Sequence, residues 1–474
     1  MKRIPALLFC LLLTGAGKAN IILPSVISDN MILQQKDSVK LWGWSDIGEI
    51  VWVTTSWDNH TYSTATTPQA NWHLKIKTPG AGGPFKLTFK GNNTIVLNNV
   101  LIGEVWVCSG QSNMQMSYNW GIKKMKSDFE SCYNNNIRFF QIPVTSSEHP
   151  QDNCHGGWSV CDTNSLRNFS AVAYYFGKRL NENMNVPVGL INASWGSTSA
   201  EVWMPSSTVN NDPIIKQDAS KIKPTPWCPV EPGVVYNAMI YPLTNYTLQG
   251  VIWYQGEANT DHPGNYSKVL TTMINAWRKD WKKQMPFYYV QIAPYDYGDN
   301  LNGAILREQQ TKAMKLSNTG MVVITDLVDD TANIHPGNKK DVGLRLANWA
   351  LAKTYDRNNI VYASPMYKNM KIENGKAVIR FDFNSSGLTI TGSKIAEIYI
   401  AGSDKIFYPA SADIDEGKLV VWSDKVKNPM AVRYAFRNAA IGNLFSKDGL
   451  PVAPFRTDHW ETDEPNYTIA YEWH

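Results

Sequence analysis

Three stretches of this 474-residue chain carry an apolar run straight into polar or small residues, the arrangement that presents reactive groups at the end of a strand. The first is Val105-Trp106-Val107-Cys108-Ser109-Gly110-Gln111-Ser112-Asn113-Met114. A buried strand running into Gly-x-Ser and then a helix-compatible segment puts the Ser112 hydroxyl at the carboxyl edge of a sheet, near the free amide N–H groups of a helix start. An acyl-transfer nucleophile works there. The familiar nucleophile elbow has a glycine two residues after its serine, whereas Asn113 and Met114 follow here. A serine at this point also serves as an ordinary helix N-cap.

The second stretch, Gly189-Leu190-Ile191-Asn192-Ala193-Ser194-Trp195-Gly196-Ser197-Thr198, ends in small residues that let backbone N–H groups approach a ligand. The third, Gly250-Val251-Ile252-Trp253-Tyr254-Gln255-Gly256-Glu257-Ala258-Asn259, delivers a polar cluster. In a parallel sheet all three ends share one edge, where open α/β sheets bind their ligands. A base is then needed. Of the eight histidines only His262 and His335 fall just after strands of this region. His335 has the acidic loop containing Asp326, Asp329 and Asp330 before it, and nearby acids favour imidazolium formation. No CxxC or HExxH spacing is present, and Cys154-His155 as neighbours is not a ligand pattern, so neither a metal nor another cofactor is expected.

The elements that must position these residues follow from periodicity. Residues 20–100 alternate with period two, as in Val39-Lys40-Leu41-Trp42-Gly43-Trp44, between turn-rich segments, and predict a β-sandwich-like domain. From 101 to 358 apolar runs at 104–108, 137–142, 186–191, 250–254, 287–292 and 321–325 alternate with helical patterns at 171–183, 265–282, 303–316 and 341–354. Buried strands separated by amphipathic helices predict a parallel sheet covered on both faces, an α/β domain. From 359 to 474 short strands return, with runs at 376–383, 397–401, 418–422 and 431–436, and predict a second β domain.

Residues 1–19 have the three parts of a secretory leader: Lys2 and Arg3, an apolar stretch, and Gly17-Lys18-Ala19 as a small-x-small cleavage site. The apolar stretch is too short to span a bilayer core of ~30 Å, so the chain is expected to be secreted or periplasmic after cleavage near Ala19, with no membrane span. Discounting Lys2, Arg3 and Lys18 brings the 45 basic residues to 42 against 41 acidic ones, which excludes nucleic-acid binding by bulk charge. Five cysteines follow the leader, an odd number; Cys154 and Cys161 are close enough in sequence to pair in an oxidising compartment. Eighteen tryptophans suit sugar rings, although sandwich cores account for most of them. Nothing in the sequence fixes the oligomeric state.

Taken together, Gly110-Gln111-Ser112-Asn113-Met114, Trp253-Tyr254-Gln255-Gly256-Glu257 and Ile334-His335-Pro336 resemble the SGNH-hydrolase carbohydrate esterases of the sialate O-acetylesterase family. Leu23-Pro24-Ser25, Leu33-Gln34-Gln35 and Pro454-Phe455-Arg456-Thr457-Asp458 extend the resemblance over nearly the whole chain beyond the leader. It implies a flavodoxin-like three-layer α/β domain with flanking β domains, and hydrolysis of O-acetyl esters on carbohydrate without a metal. Carried over by position, Ser112 is the nucleophile and His335 the general base. The Ser112 and Gly196 N–H groups, with the Gln255 side chain, form the oxyanion hole. Glu257, Asn259, Arg307 and Trp195 are expected substrate contacts, with Trp203 a further stacking wall; Arg307 suits the carboxylate of sialic acid. Many SGNH hydrolases carry an orienting Asp three residues before the His, where this chain has Ala332; Asp326, Asp329, Asp330 or a backbone carbonyl takes that part. The substrate is then O-acetylated sialic acid or, since the acetyl-handling groups do not identify the sugar, an acetylated polysaccharide such as xylan. The remaining reading is a catalytically inactive glycan-binding protein.

Overall fold

The computed structural model describes residues 20–298 and 300–461; the expected leader at 1–19 and the C-terminal 462–474 lie outside the described residues. The molecule is a mixed α/β structure with a large central sheet and several flanking sheets. Seven strands make the main path of the central sheet: β1 (Thr94–Gly110), β2 (Asn134–Gln141), β3 (Trp158–Cys161), β4 (Val188–Ser194), β5 (Gly250–Tyr254), β6 (Phe287–Val290) and β7 (Thr319–Val322). Their order is β7-β6-β5-β1-β4-β2-β3. All neighbours are parallel except β3, which runs antiparallel to β2 at the edge.

Alternate residues of these strands feed two separate cores, as the two-residue period of a strand requires. Val105, Val107, Ile191, Val251, Trp253 and Phe287 face one core, shared with Val269, Leu270 and Met273 of helix α3 (Tyr266–Trp281). Trp106, Cys108, Leu190, Ile252, Tyr254 and Tyr288 face the other, shared with Val172 and Phe176 of α2 (Ala171–Met184) and Val342 and Leu346 of α5 (Lys339–Lys353). The short helix α1 (Ser112–Gln115) follows β1, and α4 (Asn302–Ala313) lies between β6 and β7. The strand and helix signals read from the sequence thus coincide with observed elements to within a few residues.

Strand β1 has 17 residues and serves two partnerships. Its first half pairs with Gly82–Lys90 and Ile32–Gln34 of the N-terminal β region, while its second half lies between β4 and β5. The chain therefore passes the expected junction near Leu101 inside a single strand. After α5 the chain forms antiparallel sheets around a third core of Ile379, Ile400, Leu419 and Val432. The turn at Asn374-Gly375 joins strands Met366–Glu373 and Lys376–Asp382; both residues have positive φ (50° and 73°), the two-residue hairpin conformation that Asn-Gly adopts at low cost.

Candidate active site

Register places the three polar strand ends level with one another. Gly110 at the end of β1 pairs with Ser194 on β4 and with Tyr254 on β5. Gly110 has φ +136°, and a Cβ there would stand 2.1 Å from the Tyr254 carbonyl oxygen, so only glycine lets the chain turn here. Gln111 then donates its N–H to Tyr254 O at 3.0 Å, and its side-chain Oε1 accepts from the N–H groups of Gly256 and Ala258. Those contacts fix the start of α1 and with it Ser112.

His335 comes from the long loop between β7 and α5, where its N–H donates to Asn333 Oδ1. Its Nε2 lies 2.9 Å from Ser112 Oγ across 223 residues of sequence. Burial, and then the positive charge of Lys339, hold the imidazole below its ordinary pKa of 6.5. A neutral ring at pH 7 has a lone pair to accept a hydroxyl proton. None of the three candidate acids bonds that ring among the described residues. Asp326 forms a two-pronged ion pair with Arg345, Asp329 pairs with Lys124 at 3.1 Å, and Asp330 accepts from the Ala332 N–H.

Behind the pair lies a buried network that the sequence reading did not pick out. Asn113, 0 % exposed, donates to Glu257 Oε1 at 2.6 Å and to the Ile334 carbonyl at 3.0 Å, and accepts from Lys339 Nζ on Oδ1. Burial raises the Glu257 pKa and brings Lys339 down to about 7, the Glu257 charge opposing the latter shift. Asn113 was legible only as the neighbour of a candidate serine, and Lys339, ahead of the helix expected at 341–354, carried no signal of its own.

Gly196 stands beside Ser112: a Cβ on Gly196 would be 3.5 Å from Ser112 Cβ and 3.3 Å from the ring of Trp120. Its N–H donates to Gln115 Oε1 at 2.7 Å. Trp120, 45 % exposed, puts an aromatic face at this edge that the sequence reading did not single out. Trp195 is half-buried, its indole N–H donating to the Trp227 carbonyl.

The expected roles of Gln255, Asn259, Arg307 and Trp203 are corrected by burial and hydrogen bonding. Gln255 is 0 % exposed and gives both amide hydrogens away, to Thr198 O and Asn259 Oδ1, while its Oε1 accepts from Tyr266; no donor is left for an oxyanion. Asn259 is equally enclosed, donating to both oxygens of Glu201 and accepting from Ala200 N–H. Arg307 is 0 % exposed and donates to the carbonyls of residues 437 and 438, fastening the C-terminal sheets to α4 instead of meeting a sugar. Trp203 is wholly buried, its indole bonded to Thr198. Glu257 faces the Asn113 network with one oxygen. Cys154 and Cys161 do not pair: all five described cysteines are free and buried.

No group of three or more metal-binding side chains occurs among the described residues, and no described helix is long and apolar enough to cross a membrane.

Residues 102–352 match the family model for carbohydrate esterases described as sialic acid-specific acetylesterases. The mouse sialate O-acetylesterase is 30 % identical over 427 residues, covering 76 % of this chain and 78 % of that protein. The human sialate O-acetylesterase is 28 % identical over 397 residues, 76 % of each. The crystal structure of a carbohydrate acetylesterase from Xanthomonas citri superposes with a TM-score of 0.84 at 34 % identity, covering 93 % of this chain and all of the other. With that likeness spanning both the central sheet and the strands around it, the chain belongs to the sialic acid-specific acetylesterase family of carbohydrate esterases and is a carboxylic-ester hydrolase.

Proposed function

We propose that the chain removes O-acetyl groups from sialic acid by a serine mechanism on an SGNH-hydrolase, flavodoxin-like domain at 101–358, with β domains at 20–100 and 359–474. The observation that carries the reading is the 2.9 Å contact between His335 Nε2 and Ser112 Oγ at the shared end of three strands. In the proposed reaction Ser112 Oγ attacks the acetyl carbonyl while His335 takes its proton. The tetrahedral oxyanion accepts from the Ser112 and Gly196 N–H groups, the latter released by Gln115 Oε1. Collapse expels the sugar alkoxide, which receives the proton from His335, and leaves acetyl-Ser112. Water, deprotonated by His335, then releases acetate and restores the serine. Ser112 and His335 work as a dyad, with the backbone that carries His335 held by Asn333 and, at Ile334, by Asn113.

Export through the leader at 1–19 belongs to the same reading. The test is acetate release from O-acetylated sialic acid and from acetylated xylan, each beside Ser112→Ala. Release from the sialate substrate that vanishes in the variant supports the proposal. Release from xylan alone keeps the mechanism and changes the sugar, and release from neither favours a binding protein.

A further inference from the structure

A cavity of about 260 Å³ lies between the loop 221–230 and the residues that flank the candidate catalytic positions. Gln111 and Ile334, which line it, immediately precede Ser112 and His335; Ser197 and Ser199 follow Gly196. The loop is held over this wall by Cys228, whose Sγ donates to the Ser197 carbonyl, and by the Trp195 indole bonded to Trp227 O. Ligand sites for drug-sized molecules run from ~300 Å³ upward, so this volume suits one sugar residue and not a run of them.

The wall of the cavity is chemically incomplete. Ser199 is 3 % exposed and its hydroxyl has no hydrogen-bond partner. Glu257 uses Oε1 on Asn113, while Oε2 has none. Both ring nitrogens of His262 lack a hydrogen-bond partner, and Glu201 Oε1 lies 3.8 Å from Nε2. Buried polar atoms are nearly always paired, so several orphans around one cavity call for something to pair them. A carboxylate oxygen in that wall asks for a donor and repels an anion; serine and imidazole can each donate or accept. A sugar hydroxyl, which both donates and accepts, is a chemically suitable partner for each of the three groups.

We infer that Ser199, Glu257 and His262 form the binding site for the hydroxyl groups of the single sugar residue that carries the ester, with any acidic substituent directed to Lys223 on the roof. The inference rests on the esterase reading for its substrate class, although binding tests it without turnover. Ser199→Ala is the cleanest probe, because a hydroxyl bonded to nothing in the free protein contributes nothing to its fold. Titration calorimetry with N-acetylneuraminate and with xylobiose, on the full chain, should show binding of at least one sugar. Ser199→Ala should weaken that binding fivefold or more, with the melting temperature unchanged or raised. His262→Gln should weaken it as well, and Lys223→Glu, at the exposed roof, should weaken only the acidic sugar. Binding of neither sugar, or equal affinity in wild type and Ser199→Ala, overturns the site. So does a Ser199→Ala protein that melts several degrees lower, since its hydroxyl would then have a structural partner. Loss of acetate release with sugar binding intact would fault the catalytic reading and leave this site standing.

Discussion

Asn113 Nδ2 lies 2.6 Å from Glu257 Oε1, and the same amide nitrogen donates to the carbonyl of Ile334, the residue before His335. One side chain thereby ties the helix of the candidate nucleophile, the end of β5 and the loop of the candidate base. Asn113→Ala leaves a buried carboxylate and a carbonyl without their donor, a loss of about 1–3 kcal/mol each. The expected result is a lower melting temperature with kcat reduced at least tenfold and KM changed less, measured by thermal melting and steady-state kinetics on an acetyl ester.

Ser112→Ala removes one hydroxyl from a residue that the backbone of Gly110 and Gln111 already fixes. Turnover should fall to background while the melting temperature stays within a degree or two. Substantial turnover in this variant would put the nucleophile elsewhere.

The pH profile carries a sign that can be checked. His335 is held below 6.5 by burial and by Lys339, so kcat/KM should fall on acidification through a value under 6.5, where the ring takes a proton and can no longer accept one. Lys339→Met removes the neighbouring positive charge, so the imidazole pKa rises and the acid limb moves to higher pH. A limb that stays in place or moves down would show that the charge of Lys339 does not act on the ring.

Arg307 offers the opposite signature. Arg307→Met takes the donor from the carbonyls of residues 437 and 438, so stability should drop by about 2–4 kcal/mol in denaturant melts. The KM for any sugar ester should be unchanged at temperatures where the variant is folded.

Burial pushes the Cys154 thiol up to about 12 and raises the Cys108 and Cys161 thiols well above their ordinary value. A thiol-reactive dye should therefore label the native protein slowly and label all five described cysteines after unfolding; rapid labelling of the native protein would contradict their burial.

The strands and helices of the central region were readable because both faces of that sheet are covered, which turns buried strands into unbroken apolar runs such as 250–254. Ser112 stood out because it follows a strand end, where the sequence changes abruptly from apolar to polar residues; His335, in the loop between β7 and α5, stood out only as one of two histidines after strands of this region. What escaped was set by distance in sequence. Gln255, Asn259 and Arg307 share residue types with real ligand contacts, and only the folded chain shows their hydrogen-bonding capacity committed to Thr198, Glu201 and backbone carbonyls. Asn113 and Lys339 are 226 residues apart, and no local pattern links them.

Strand β1 also has the character of a ruler. Because one uninterrupted run of 17 residues is clamped at its start by Gly82–Lys90 and delivers Gly110 at its end, its length sets where the serine emerges. A single residue deleted between 94 and 101 would force the outer pairing or the inner pairing to slip. An inner slip would exchange the side chains that face the two cores, Val105 and Val107 against Trp106 and Cys108. A change of length within 94–101 thus carries through to the reacting edge, which inherits its position from pairings made far from it.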